Sequence, residues 1–256
     1  SLFKFAVRIS GTNPRNLVIG LMATTMIASM LMSNTATTAM VIAAVTPLLN
    51  SLGKKSGLTK ALLIGVPISA STGGMGTIIG SPPNAIAAGA LENAGIHIDF
   101  LHWMIYGMPL ALVLTAVSCF VLIKMYVKDT TPIPLGFLEN QKSKNSREIR
   151  IQRKIVVSVI IITVLLWLTS SLHGLSVAAV SAIPIVFLTL TGVLAGKDVQ
   201  GLPWDTLFLV AGGLSLGVAL QHTGLMEHYA EMMKSLEVNE IAFIFMLAYA
   251  TMLFSN

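Results

Sequence analysis

Charged side chains disappear from this sequence for long stretches at a time. No Asp, Glu, Lys or Arg lies between Arg15 and Lys54, Lys60 and Glu92, Asp99 and Lys124, Lys154 and Lys197, or Asp205 and Glu227. Each interval can hold at least one apolar helix of about 20 residues, the length that crosses a bilayer. A soluble chain carries roughly 25% charged residues; here 11% are charged and 54% are hydrophobic. The expected fold class is an all-α polytopic membrane protein in a cell membrane, with the lipid bilayer as its immediate partner.

The net charge of +5 does not point to nucleic acid. Its Lys and Arg residues flank apolar runs and form no stripe with interleaved aromatics, a pattern that membrane topology explains. The single cysteine, Cys119, lies inside an apolar run, which excludes an intramolecular disulfide framework and supplies no metal cluster. It reads as lipid-facing or packed core. The chain opens at Ser1 without a charged segment leading to a small-residue cleavage site. It is expected to be a piece of a longer protein.

Basic loops set the orientation, because Lys and Arg concentrate on the cytoplasmic side. Residues 1–15 form a cytoplasmic lead-in with Lys4, Arg8 and Arg15. Lys54, Lys55 and Lys60 close the run at 16–53, so both of its ends are expected inside. That run must enter and return, and Ser33-Asn34-Thr35 falls at its middle. The pattern predicts a re-entrant helical hairpin with a polar tip. Residues 61–123 are expected to cross outward and back, with the outward span broken at Gly80-Ser81-Pro82-Pro83-Asn84. The two prolines remove backbone donors and exclude the helical conformation for the residue before them. A basic cytoplasmic loop follows at 124–154, then a second half at 155–256.

An internal repeat is present. Ala28-Ser29-Met30-Leu31-Met32-Ser33-Asn34 returns as Ala250-Thr251-Met252-Leu253-Phe254-Ser255-Asn256, identical at five of seven positions. The expected topology places an odd number of crossings between the copies, so the two halves read as inverted repeats of a secondary transporter. The second is cut off at Asn256.

A helical hairpin tip brings the exposed carbonyls of one helix end beside the exposed amides of the next helix start. Hydroxyl, amide and carbonyl oxygens suit a hard cation such as sodium, and a helix N-terminus, carrying roughly half a positive charge, suits a carboxylate. A neutral site also avoids a charged residue near the bilayer centre, which costs at least about 2.5–3.5 kcal/mol. The break at Gly80–Asn84 adds a second wall, since irregular backbone at membrane depth survives only inside protein or along a cavity. Ser33-Asn34-Thr35 taken alone reads first as a solvated turn; the repeated copy reverses that reading. A simple proline kink is the plain alternative for Gly80–Asn84.

Other features read more plainly. Gly73-Gly74-Met75-Gly76 lacks the Lys-Ser/Thr of a phosphate loop and reads as a hinge or close-packing signal. Gly213 and Gly217 read as helix packing. His97, Asp99 and His102 read as solvated groups at an interface loop beside Trp103.

Ser33-Asn34-Thr35-Ala36-Thr37-Thr38-Ala39-Met40, Gly80-Ser81-Pro82-Pro83-Asn84 and the opening of a second Ser-Asn motif at Ser255-Asn256 resemble the divalent-anion:sodium symporter family over nearly the whole chain. The resemblance implies a sodium site from Ser29, Ser33, Asn34 and the Gly80 backbone, and another from Thr251, the Phe254 backbone and Asn256. It implies substrate contacts at Asn34, Thr35, Ser81, Pro82, Ser255 and Asn256. It further implies an elevator-type homodimer, sodium ions transported rather than held as a prosthetic group, and anions such as succinate, malate, fumarate, citrate or sulfate as cargo.

A sodium-coupled carrier of di- or tricarboxylates is therefore the leading reading. The alternatives are a cation-independent dicarboxylate exchanger and an oxyanion permease for sulfate or arsenite. An intramembrane hydrolase would need a nucleophile and base at one depth, and no His, Asp, Glu or Lys lies within the apolar cores near Ser33 or Ser81. The chain is not expected to be an enzyme.

Overall fold

The structure is a computed structural model that describes residues 13–53, 55–128, 147–234 and 239–254. The described residues form helices joined by turns, with no strand among them, as the charge-free runs require. The chain divides into two compact units, Ser1–Gly201 and Leu202–Asn256.

In the first unit, α1 (Pro14–Ser29) starts where Asn13 stands extended and its side chain accepts the Arg15 amide at 2.9 Å. Pro14 takes the first helical position, where no amide donor is needed. The helix ends at Ser29, and after four intervening residues α2 (Asn34–Leu52) begins with Ser33 as its cap, the Ser33 hydroxyl accepting the Ala36 amide at 3.3 Å. Gly53, at φ 78°, stops α2 in a conformation that side chains rarely adopt.

α3 (Gly57–Gly74) runs parallel to α1: Gly65 lies against Met22, and farther along both helices Gly73 lies against Met26. A 3-10 turn (Ile78–Gly80) leads to α4 (Pro82–Asn93), and then α5 (Phe100–Tyr126) returns antiparallel to α3. Its two ends show this: Gly107 meets Met75, and Tyr126 meets Gly57. Leu17, Leu21 and Met22 of α1, Val45 and Leu48 of α2, Leu62 and Val66 of α3, and Leu122 of α5 close one core. Cys119 packs into this core.

The interruption is wider than the proline pair suggests. α3 stops at Gly74, so residues 75–81 are non-α, while Pro82 and Pro83 open α4 and Asn84 lies inside that helix. The physical reason is positional. Proline is costly inside a helix but suits its first turn, and it holds Ser81 extended at φ −151°, ψ 139°.

α6 (Arg147–Leu168) begins in basic sequence rather than after it, and α5 extends to Tyr126, so the connection is shorter than 124–154. A short turn α7 (Ser170–His173) capped by left-handed Gly174 leads to α8 (Val177–Leu190), followed by α9 (Gly196–Gln200). Phe100 stacks on Trp167 at 5.2 Å between ring centres, and with Ile78 and Val180 they form a second core.

The second unit contains α10 (Trp204–His222), α11 (Leu225–Lys234) and α12 (Glu240–Phe254). Gly213 and Gly217 have no neighbour within 4 Å of an added Cβ, so the close helix packing expected of them is not present among the described residues. By length and composition, Asn34–Leu52, Phe100–Tyr126 and Ile149–Leu168 can each cross a membrane, and Val177–Leu190, Leu207–His222 and Ile241–Leu253 are shorter apolar helices.

His97 and His102 are exposed, as a solvated loop requires, and Asp99 departs from that reading. Its side chain is largely shielded, caps α5 by accepting the His102 amide at 2.8 Å, and pairs with His102 Nδ1 at 2.9 Å. Burial alone would raise the carboxyl. The His102 amide, the His102 imidazole and its charge, and the Leu101 amide outweigh burial and hold it below its ordinary value. A depressed carboxyl contributes stability above its unfolded value, and that contribution is lost as pH falls through the lowered folded value. Asp99→Ala is expected to cost about 1 kcal/mol. Thermal unfolding at neutral pH and in acid checks it: the gap between parent and variant should close in acid.

Candidate functional site

The stop between α1 and α2 leaves carbonyls at the end of α1 without helical partners. Local turns serve some of them: the Met30 amide donates to Met26 O at 3.2 Å and the Leu31 amide to Ala28 O at 3.1 Å. The Met30 carbonyl accepts from the buried Thr77 hydroxyl at 2.5 Å, which ties the tip of the hairpin to the interruption after α3. Thr77 also receives the Gly80 amide on the same oxygen at 3.1 Å.

Ser29 is completely buried, and its hydroxyl oxygen stands 2.8 Å from Asn34 Oδ1 and 2.7 Å from the Ala70 carbonyl oxygen. A serine hydroxyl has one proton to give. With both neighbours read as oxygens, this cluster is one proton short. Either the Asn34 amide turns its nitrogen toward Ser29, an orientation assigned rather than seen at ordinary resolution, or a positive charge shares the oxygens.

Gly74 presses against the same amide: a Cβ there would stand 2.3 Å from Asn34 Oδ1 and 2.9 Å from Nδ2. Gly80 in turn lies on Gly74, where a Cβ would fall 2.6 Å from the Gly74 carbonyl oxygen. That carbonyl and the one of Thr77 accept both amide hydrogens of Asn84, at 2.7 and 2.8 Å. The Trp103 indole closes the outer side by donating to Met75 O at 3.1 Å. Glycine at 74 and 80 therefore permits backbone contact, and Asn84 replaces the helical partners that the break removes.

Of the residues singled out in the sequence, Ser29, Asn34 and Gly80 meet in this cluster. Ser33 stands at the exposed tip with its hydroxyl used as a cap. Thr35 is exposed in the first turn of α2, Pro82 is exposed, and Ser81 is half-buried at the start of α4. No hydrogen bond among the described residues engages the Thr35 or Ser81 hydroxyl. The anion-binding donors of α4 are few, because Pro82 and Pro83 have no amide hydrogen and the Asn84 amide bonds Ser81 O at 3.1 Å. The α2 start keeps the Asn34 and Thr35 amides available. Thr251 sits in the second unit with its hydroxyl returned to Leu247 O at 2.8 Å, and Phe254 ends α12. Ser255 and Asn256 lie outside the described residues.

Ala70, Gly74, Thr77 and Asn84 join the cluster without having been singled out as site residues. Two sequence signals pointed near them: the dense glycines at 73–76 and the amide directly after the proline pair. No group of three or more His, Cys, Asp or Glu able to hold a metal occurs among the described residues. The donors of the cluster are neutral oxygens.

Long apolar helices, with a two-helix hairpin whose tip is bonded to a broken neighbour, define a helical membrane protein. The chain belongs to the citrate transporter family, CitMHS, which matches residues 1–256. It is similar to the inorganic phosphate transporter PHO87 of Saccharomyces cerevisiae, 31% identical over 230 residues, covering 88% of this chain and 24% of that protein. It is 32% identical over 224 residues to an uncharacterized transporter of Haemophilus influenzae, covering 81% and 46%. It is also 26% identical over 260 residues to the sodium-dependent dicarboxylate transporter SdcS of Staphylococcus aureus, covering 90% and 50%. The chain thus spans about a quarter to a half of the length of these relatives.

Proposed function

We propose that this chain is part of a secondary active transporter that moves small divalent anions, di- or tricarboxylates such as succinate, malate and citrate, together with sodium. The observation that carries the reading is the Ser29–Asn34–Ala70 cluster, in which a buried hydroxyl, a side-chain amide and a backbone carbonyl, all neutral, meet at 2.7–2.8 Å. A monovalent hard cation satisfies such a neutral set, and its charge there favours an anion at the adjoining α2 start. The citrate family and the sodium-dependent dicarboxylate relative support the same reading. Thr35, Ser81 and Pro82 would border the anion beside Asn34, and Ser33 would stand with the cation. A homodimer with a moving transport domain in the cell membrane completes the proposal.

A second reading has its own support. Two yeast relatives are phosphate transporters, one of them 31% identical, so inorganic phosphate is a candidate cargo beside the carboxylates. Isotope uptake by the full-length protein in liposomes, competed by citrate, succinate, malate, sulfate, arsenite and phosphate at varied sodium, separates the readings. Carboxylate competition that depends on sodium is the expected result. Uptake indifferent to sodium indicates the exchanger. Asn34→Ala removes both an amide oxygen and an α2 anchor and should lower uptake at least about 100-fold, given roughly 1.5–3 kcal/mol for each bond to a charged partner. Unchanged uptake in that variant refutes the site.

A further inference from the structure

Several threonines in the helices of this chain share one habit. Thr25, Thr46, Thr72 and Thr163 each return the hydroxyl to the carbonyl four residues back, at 2.6, 2.8, 3.0 and 2.8 Å. Thr37 does not. Its side chain is completely buried in α2, and its hydroxyl has no hydrogen-bond partner among the described residues. Ser170 Oγ shares that status, but it belongs to the turn after α6. Native proteins seldom leave a buried hydroxyl unserved unless something other than the chain fills the place.

Thr37 begins the buried face of α2 that continues through Val41, Val45 and Leu48, one helical turn inward from Asn34. Helix positions three apart hold their Cβ atoms about 5–6 Å from each other. Asn34 is the residue whose amide oxygen lies 2.8 Å from the buried Ser29 hydroxyl. An oxygen without a partner among the described residues therefore stands one turn from the neutral Ser29–Asn34–Ala70 set.

We propose that Thr37 is a further ligand of the cation: its hydroxyl oxygen joins Ser29 Oγ, Asn34 Oδ1 and the Ala70 carbonyl oxygen in a neutral cradle for one monovalent ion. This rests on the cation-coupled reading above and adds to it a residue on which sodium affinity depends. All the donors are uncharged, so nothing offsets the second charge of a divalent ion, whose sites draw on carboxylates. The cradle therefore favours a monovalent over a divalent ion.

The test uses the full-length protein with sodium alone as the probe. Thr37→Val replaces the hydroxyl by a methyl of nearly the same size, and Thr37→Ser keeps the hydroxyl. Ser29→Ala serves as the reference for loss of a cradle ligand. Thermal unfolding without substrate is measured against sodium concentration, and uptake is measured over the same range. Thr37→Val is expected to unfold at the parent temperature in sodium-free buffer, to lose most of the rise that sodium produces, and to need about tenfold more sodium for half-maximal uptake. Substrate KM at saturating sodium should stay near the parent value, and Thr37→Ser should follow the parent. A parent-like sodium response in Thr37→Val, with Ser29→Ala defective, removes Thr37 from the site and leaves the cation reading intact. Equal loss in Thr37→Val and Thr37→Ser assigns the position to packing and overturns the ligand role. A parent protein that answers sodium in neither assay overturns the cation reading and this proposal together.

Discussion

Replacing Gly74 by alanine is expected to cut uptake about 10- to 150-fold in a protein that still reaches the membrane. The added Cβ would stand 2.3 Å from Asn34 Oδ1, 2.9 Å from Nδ2 and 3.0 Å from Cγ, so the whole amide must leave its place. Asn34 has little room to yield, because it opens α2 directly after the Ser33 cap and its oxygen is held 2.8 Å from Ser29. A displaced amide forfeits an interaction with charge worth roughly 1.5–3 kcal/mol, and the anion bound beside the cation is weakened with it. Gly89→Ala supplies the comparison. That glycine lies inside α4 with nothing within 4 Å of an added Cβ, and alanine there should leave uptake unchanged while stabilising the helix by up to about 1 kcal/mol. Isotope uptake normalised to the amount of folded protein decides the matter, and parent-like transport by Gly74→Ala would show that the Asn34 amide does not act from this position.

Asn84→Asp should be the most destabilising of the nearly isosteric changes. Both amide hydrogens of Asn84 are engaged, one by the Gly74 carbonyl at 2.7 Å and one by the Thr77 carbonyl at 2.8 Å. Aspartate offers neither hydrogen when ionised and sets an anionic oxygen against two carbonyl oxygens. Leaving two shielded acceptors unserved costs roughly 1–3 kcal/mol each, so a loss of about 2–6 kcal/mol in thermal or denaturant unfolding is expected. Uptake should fall too, since the same carbonyls hold the interruption against the hairpin tip. A variant with parent stability would mean that water replaces Asn84 without cost and that the amide is not what holds α3 and α4 in line.

Some of this protein follows from local composition. A charge inside a bilayer is expensive and a backbone there must bond itself, so charge-free runs of this length dictate membrane helices, and the all-α class was readable before any contact was known. Proline chemistry is equally local. Pro82 and Pro83 cannot sit mid-helix, which marks a discontinuity near them, although not that α3 already ends at Gly74. Asp99 shows the limit in the other direction. A lone acid beside histidines looks solvated in sequence, yet it is the cap that starts α5.

The sequence by itself determined the helical membrane class, a polar triplet in the middle of an apolar run and a proline-marked break, because these depend on solvation and on backbone chemistry confined to a few residues. Only the tertiary structure decided which atoms surround Asn34. Ser29 reaches Ala70 across 41 positions and Thr77 reaches Met30 across 47, and no periodicity records a contact at such a separation. Those partners are set by the parallel packing of α1 on α3. That packing brings Gly73 and Gly74 close enough for backbone and amide to touch.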